Sequence, residues 1–182
     1  QRYFSELKRV RADERTPYLY AKVKGYHEGM KTFAYYAHEE GVKTAHSYLK
    51  ENAEKALRGS YANREPATEL IVFVPKVTFE EYCHDDDCFY EKVVEKERYL
   101  RLVGYEDLKR RIKFLRSEKA YKCAPYEYGK AEALFNLISL ELMRKKPNEE
   151  VLVSLRRQLT PVLAEAEERV RQFMRKGERC GN

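Results

Sequence analysis

Residues 130–143 place the strongest constraint on how this chain can fold. Leu134, Phe135, Leu137, Ile138, Leu140 and Leu142 cover most of the circumference of a helix rather than one stripe of it. A helix that is apolar all round has to be enclosed, so the other segments are expected to pack around this one. They have the pattern to do so. Thr16-Pro17 is a helix start, with Thr as N-cap and Pro in the first turn, and Val23, Tyr26, Met30, Phe33 and Ala37 then recur at helical spacing. Leu19, Ala21 and Val23 also alternate with Tyr20, Lys22 and Lys24, which fits a strand ending at Gly25, and helix is the reading from about residue 26 onward. Gly25 and Gly29 each weaken a helix by roughly 1 kcal/mol relative to Ala, and they permit another segment to pack closely on that face.

A second helix is expected over residues 43–57, burying Ala45, Tyr48, Leu49 and Ala53, with Arg58-Gly59-Ser60 ending it. The β-branched run at residues 70–74, before Pro75, reads as a short strand that pairs with segment 18–24 or with a second copy. Thr78-Phe79-Glu80-Glu81 is a capping box, and Asp87 can cap a helix reaching Val103. Gly104 makes a corner before a helix carrying Leu108, Ile112 and Leu115 on one face. Asn148 caps a helix holding Val151, Leu152, Leu155 and Leu159, and Thr160-Pro161 is expected to break or kink it. No internal repeat or low-complexity tract is evident. The expected fold is mainly α, a multi-helix bundle-like domain over residues 1–182 with a minor β element near 70–74. A subdivision into an N-terminal helical part (1–60) and a C-terminal helical core (61–182) is the alternative to a single undivided domain.

With 43% apolar and 13% aromatic residues the chain is not of disordered composition, and no run of about 20 apolar residues offers a membrane span. Fifteen Tyr, eight Phe and no Trp suit half-buried helix faces and interfaces. The net charge of +6 favours an anionic partner only mildly, because 36 basic residues are interspersed with 30 acidic ones. Four cysteines (Cys83, Cys88, Cys123, Cys180) are too few for a disulfide scaffold, so a reducing, cytoplasmic setting is expected.

Four constellations carry candidate chemistry. Residues 30–57 contain a helix–turn–helix-like corner at Gly41, with Ala37 four positions before it and Val42 directly after. Ser47 and Lys50 stand where that motif wants apolar residues, so the match is partial. In a reading head, Lys43, Thr44, His46, Ser47 and Lys50 would face the major groove of DNA. The helix after Gly104 gathers Lys109, Arg110, Lys113 and Arg116 on one face, which can neutralise phosphates. Cys83 and Cys88, with Cys123 as a distant third, are weak zinc candidates, because a structural site needs four ligands and no second paired motif exists. His27 and His38 lie about 16 Å apart on one helix and share no metal. There is no phosphate-binding glycine loop, nucleophile elbow or metalloprotease pair, so no catalytic residue and no cofactor is assigned. The leading expectation is a non-enzymatic nucleic-acid-binding protein with DNA as partner. The alternative is a helical adaptor or self-associating protein whose tyrosine-rich faces bind protein.

Overall fold

The computed structural model describes residues 2–62, 72–75 and 86–180. Among these residues nine helices follow one another: α1 (Arg2–Arg9), α2 (Ala12–Arg15), α3 (Pro17–Tyr35), α4 (Glu39–Ala62), α5 (Asp86–Val103), α6 (Tyr105–Ser117), α7 (Ala120–Cys123), α8 (Pro125–Leu142) and α9 (Glu149–Arg175). The domain is all-α, as the apolar periodicities require.

Contrary to the sequence reading, the helices form two copies of one four-helix unit, α1–α4 and α6–α9. A shift of 108 residues carries Arg11 onto Lys119, Thr16 onto Ala124 and Pro17 onto Pro125. Arg11 and Lys119 both adopt left-handed backbone angles (φ 59°, ψ 41° and φ 58°, ψ 44°). Each is followed by a four-residue helix that ends on a residue with φ near −135°, and a proline then opens the long helix. The hydrogen bonds repeat as well: Arg11 N–H to Lys8 O and Lys119 N–H to Arg116 O are both 3.0 Å, and Thr16 N–H to Ala12 O and Ala124 N–H to Ala120 O are both 2.8 Å. In the last helix of each unit the shift becomes 110, because the turn before α9 is longer. Gly41, Ala45, Leu49, Ala53, Ala56 and Ser60 of α4 then match Val151, Leu155, Leu159, Leu163, Ala166 and Val170 of α9, and all twelve are buried.

Equivalent residues of the two units touch each other. A Cβ on Gly25 would lie 2.7 Å from that of Ala133, one on Gly129 2.9 Å from that of Ala21, and one on Gly29 2.2 Å from Leu137 Cδ1. Pairs related by the same shift in contact along the helices mean that α3 and α8 run parallel about a pseudo-twofold axis lying between them. Small residues let the two backbones approach this closely, which is the close packing that Gly25 and Gly29 suggested. Each central helix is backed by its own partner in an antiparallel hairpin. In the first unit this is shown by Thr16 against Ser60, Tyr26 stacked on Tyr48 at 5.2 Å, and Phe33 against Gly41. Nearly all of α8 is buried, including Leu134, Phe135, Leu137 and Ile138, each contributing about 1.5–3 kcal/mol by removal from water.

Several expectations change. Gly41 is not a corner. It lies in the first turn of α4, where a Cβ would fall 2.0 Å from Phe33 Cδ1, and the turn itself is Tyr36-Ala37-His38, with Ala37 at φ 53°. Because α3 and α4 lie antiparallel along their lengths, the steep crossing of a helix–turn–helix unit is not formed. The strand-like alternation at residues 19–23 belongs to α3, buried on most sides. No strand forms among the described residues. Val72 N–H bonds Asn136 Oδ1 (3.1 Å) and Val74 N–H bonds Tyr105 Oη (2.9 Å), so helix side chains satisfy the extended backbone in place of a partner strand. Leu70, Ile71 and the Thr78 capping box lie outside the described residues. α4 continues through Gly59 to Ala62, and α9 continues through Pro161.

Candidate functional site

The pseudo-twofold axis generates two faces on the α3–α8 seam, built from equivalent residues. On the first, Tyr18 and Lys22 of one unit meet Tyr128 and Glu132 of the other. Tyr18 Oη donates to Glu132 Oε1 (2.7 Å), and Lys22 Nζ lies 3.4 Å from the same oxygen and 5.4 Å from the Tyr18 ring centre. Lys22 and Glu132 are only 3% and 5% exposed, so this is a desolvated ion pair. Tyr18 stacks on Tyr128 at 5.9 Å. The Tyr128 hydroxyl is also buried, and the Glu132 carboxylate is the charged group that acts on it. Burial, and then the Glu132 carboxylate, raise both phenols far above the ordinary tyrosine range, so both stay protonated. This face is closed.

On the second face the equivalents are Tyr126 and Lys130 of the second unit with Tyr20 and Lys24 of the first. Lysine stands at 24 where the other face has Glu132. Tyr126 is 47% exposed and gives its hydroxyl to the Asp13 carbonyl, Lys24 is exposed, and its Nζ lies 5.8 Å from the Tyr20 ring centre. Neither Lys24 nor Lys130 makes an ion pair among the described residues. This face is open at Tyr126 and Lys24, with Lys130 half-buried and Tyr20 buried, and it carries two like charges. The short sequence Pro-Tyr-x-Tyr, at Pro17–Tyr20 and again at Pro125–Tyr128, was the signal that could have revealed both faces, and the sequence reading passed over it.

The two poles of the axis differ. At one pole the hairpin turns are capped in the same way: Gly41 N–H bonds His38 Nδ1 (3.0 Å) and Val151 N–H bonds Asn148 Oδ1 (3.1 Å). Buried Glu141 links the two turns, accepting from Asn148 N–H (2.9 Å) and Arg144 Nε (2.8 Å), with His38 Nε2 3.0 Å away. Tyr35 (81% exposed) and its equivalent Met143 (44%) project from this pole, which also holds a depression of about 250 Å³ lined by Tyr36, Glu149, Glu150, Val153, Ser154 and Arg157. At the other pole Arg15 Nη1 donates to Ser60 O (3.2 Å), and the equivalent of Arg15, Cys123, is disulfide-bonded to Cys180.

The residues singled out for DNA are dispersed. Lys43, His46, Ser47 and Lys50 are exposed on α4, while Thr44 is half-buried and donates to Glu40 O (2.9 Å). Lys109, Arg110, Lys113 and Arg116 lie on α6, in the other unit. There Arg110 pairs with Asp107, and Lys109 and Lys113 sit 6.0 and 5.1 Å from the Phe73 ring centre. The Arg110 hydrogen bond holds the Asp107 carboxyl below its ordinary range. Of the zinc candidates, Cys123 is consumed by its disulfide, Cys83 lies outside the described residues, and Cys88 starts α5 with its side chain outside them. No cluster of three metal-ligating side chains occurs among the described residues. His27 packs edge-on against Phe4, and burial lowers its pKa. None of the described helices is long and apolar enough to cross a membrane.

No family model and no solved structure matches the chain. A protein of Aquifex aeolicus (strain VF5), described as uncharacterized, is 52% identical over 179 residues, 97% of this chain and 81% of that protein. The chain belongs to the family of this protein. The match spans both four-helix units and the segment between them.

Proposed function

We propose that this protein is a non-enzymatic helical adaptor that binds another protein. The observation that carries the reading is the repeated display of large apolar side chains at one pole, Tyr35 and Met143, at equivalent positions of two rigid hairpins. Tyrosine and methionine on a rigid frame are typical of interface centres, and they give contact area at low entropic cost. The seam between the units is filled by packed side chains, with Ala133, Leu134, Leu137 and Tyr26 all buried. The Cys123–Cys180 disulfide favours an oxidising setting over the reducing cytoplasm expected from the cysteine count.

The test is affinity purification of the tagged chain from its native host, beside the variant Tyr35→Glu with Met143→Glu. A stoichiometric protein partner, resistant to nuclease and lost in the variant, is the expected result. Recovery of nucleic acid alone would replace this reading with the nucleic-acid one. The latter keeps one support, the exposed Lys43, Lys50, Arg110 and Lys113, and is tested by anisotropy with a mixed-sequence duplex across a salt series.

A further inference from the structure

We infer that the open face on the α3–α8 seam, made by Tyr20, Lys24, Tyr126 and Lys130, is a docking site for a carboxylate on an acidic segment of a partner protein. The inference rests on the adaptor reading and names the chemistry of one of its surfaces. The closed face shows what the same frame holds when it is complete. There Lys22 and two tyrosines surround the Glu132 carboxylate, which takes a hydrogen bond from Tyr18 and the charge of Lys22. The axis places Lys130 where Lys22 stands and Tyr126 and Tyr20 where Tyr18 and Tyr128 stand, but it supplies a second ammonium, Lys24, in place of the carboxylate. Two lysines with no acidic partner among the described residues leave that half-site one anion short. Of the acids beside Tyr126, Glu14 pairs with Arg11 and Glu127 with Arg169 at 2.8 Å, while Asp13 accepts from Tyr126 through its carbonyl and its carboxylate charge acts on that hydroxyl without pairing with either lysine.

The surroundings attract the same kind of ligand. Tyr126 opens onto the pole where residues 8–15, 56–60, 116–127 and 168–179 converge, tied together by Arg15–Ser60, Tyr126–Asp13, Arg179–Glu118 and Cys123–Cys180. These segments hold thirteen Lys/Arg and six Asp/Glu, a net +7 in a chain whose total is +6. They also hold nine of the eighteen arginines but four of the eighteen lysines. Arginine presents several donors to a carboxylate, and here Arg179 Nη1 alone donates to both oxygens of Glu118, at 2.8 and 3.0 Å. An acidic segment can therefore anchor one carboxylate between Lys24 and Lys130 and run on across the arginine-rich pole.

The probe is fluorescein-labelled poly-L-glutamate, titrated with the full chain at physiological salt. A duplex DNA of matched charge and neutral poly-L-glutamine run alongside. The decisive variant is Lys24→Glu, which builds into the open face the carboxylate that the closed face has. It is expected to melt no lower than the parent, because it pairs with Lys130, and to bind poly-glutamate at least about tenfold more weakly. Lys31→Glu, which makes the same charge change elsewhere on α3, is expected to stay within about twofold of the parent. Equal losses from both variants would reduce the effect to net charge and overturn the inference. So would tighter binding of duplex DNA than of poly-glutamate, or no poly-glutamate binding at all. If Lys24→Glu binds like the parent while the native partner is still held through Tyr35 and Met143, this site falls and the adaptor reading stands.

Discussion

In the first four-helix unit the short helix α2 is fastened to the end of α4 by hydrogen bonds alone, between Thr16 and both Ala56 and Ser60 and from Arg15 to the Ser60 carbonyl. In the second, the equivalent position is Cys123, and a covalent bond fastens α7 to the tail beyond α9. The backbone is the same at both places, down to the left-handed residue that precedes each short helix. The fold of the unit is therefore specified by steric and hydrogen-bonding demands of the backbone, and the side chains that close it are exchangeable. The seam teaches the same lesson in another form. One face buries a Tyr-Lys-Tyr-Glu quartet, and in the other Tyr-Lys-Tyr-Lys set Tyr126 and Lys24 are exposed, Lys130 is half-buried and Tyr20 is buried.

The largest expected effect separates the two fastenings. Opening the 57-residue separation between Cys123 and Cys180, with both changed to Ala, should lower stability by about 4 kcal/mol on the chain-entropy estimate. Arg15→Ala removes one partly buried hydrogen bond and should cost about 1 kcal/mol. Denaturant unfolding of the three proteins measures both. Equal losses would show that helix packing, not the fastening, holds each unit shut.

Next comes the contrast between the faces. Lys22→Met leaves the Glu132 carboxylate buried with the Tyr18 hydroxyl as its remaining donor, which should cost about 3 kcal/mol. Lys24→Met, at a solvated position with no ion pair among the described residues, should change stability by less than about 0.5 kcal/mol. Similar losses at both positions would mean that the open face is a second structural ion centre and not a vacant one.

How much of this was legible in the sequence follows from what kind of signal each feature leaves. The buried circumference of α8, the Asn148 cap and the Gly104 turn were readable because each is a local pattern of residue types. The duplication was not, because the units share few side chains beyond Pro-Tyr-x-Tyr and the small residues of the seam, and a left-handed Arg11 or Lys119 has no local signature. Gly41 misled for a related reason. A glycine demanded by the Phe33 ring across a hairpin is indistinguishable, in one dimension, from a glycine demanded by a corner. The run at residues 72–74 has the composition of a strand, but the Val72 and Val74 N–H groups are taken by Asn136 and Tyr105, residues far away in sequence. Cys123 reads as a distant zinc candidate in the sequence because its disulfide partner lies 57 positions on.

The caps at the turns give a smaller and more even comparison. His38→Ala and Asn148→Ala each remove the acceptor for an N–H in the first turn of an outer helix, and each should cost about 1 kcal/mol. If His38→Ala costs clearly more, the excess reports its contact with buried Glu141, which ties it to the second unit. A double variant with Glu141→Gln, compared with the singles in a mutant cycle, would isolate that coupling.

The smallest effect is absent at neutral pH and appears only in alkali. Tyr18 and Tyr128 have pKa values raised first by burial and then by Glu132, so the folded chain keeps protons that the unfolded chain releases near the ordinary tyrosine value of about 10. The unfolded state then binds fewer protons, and stability must fall as pH rises through about 10, with no contribution below it. Tyr126, on the open face, is raised in the same direction by burial and Asp13, but it is exposed and can ionise in the intact protein. Phenolate absorbance at 295 nm, followed beside helix content, should therefore show Tyr126→Phe reducing the amplitude that precedes unfolding. Tyr18→Phe should reduce only the amplitude that accompanies it. If Tyr18 ionised while the helices remained intact, the closed face would be open to water, and the distinction between the two faces would fail at its root.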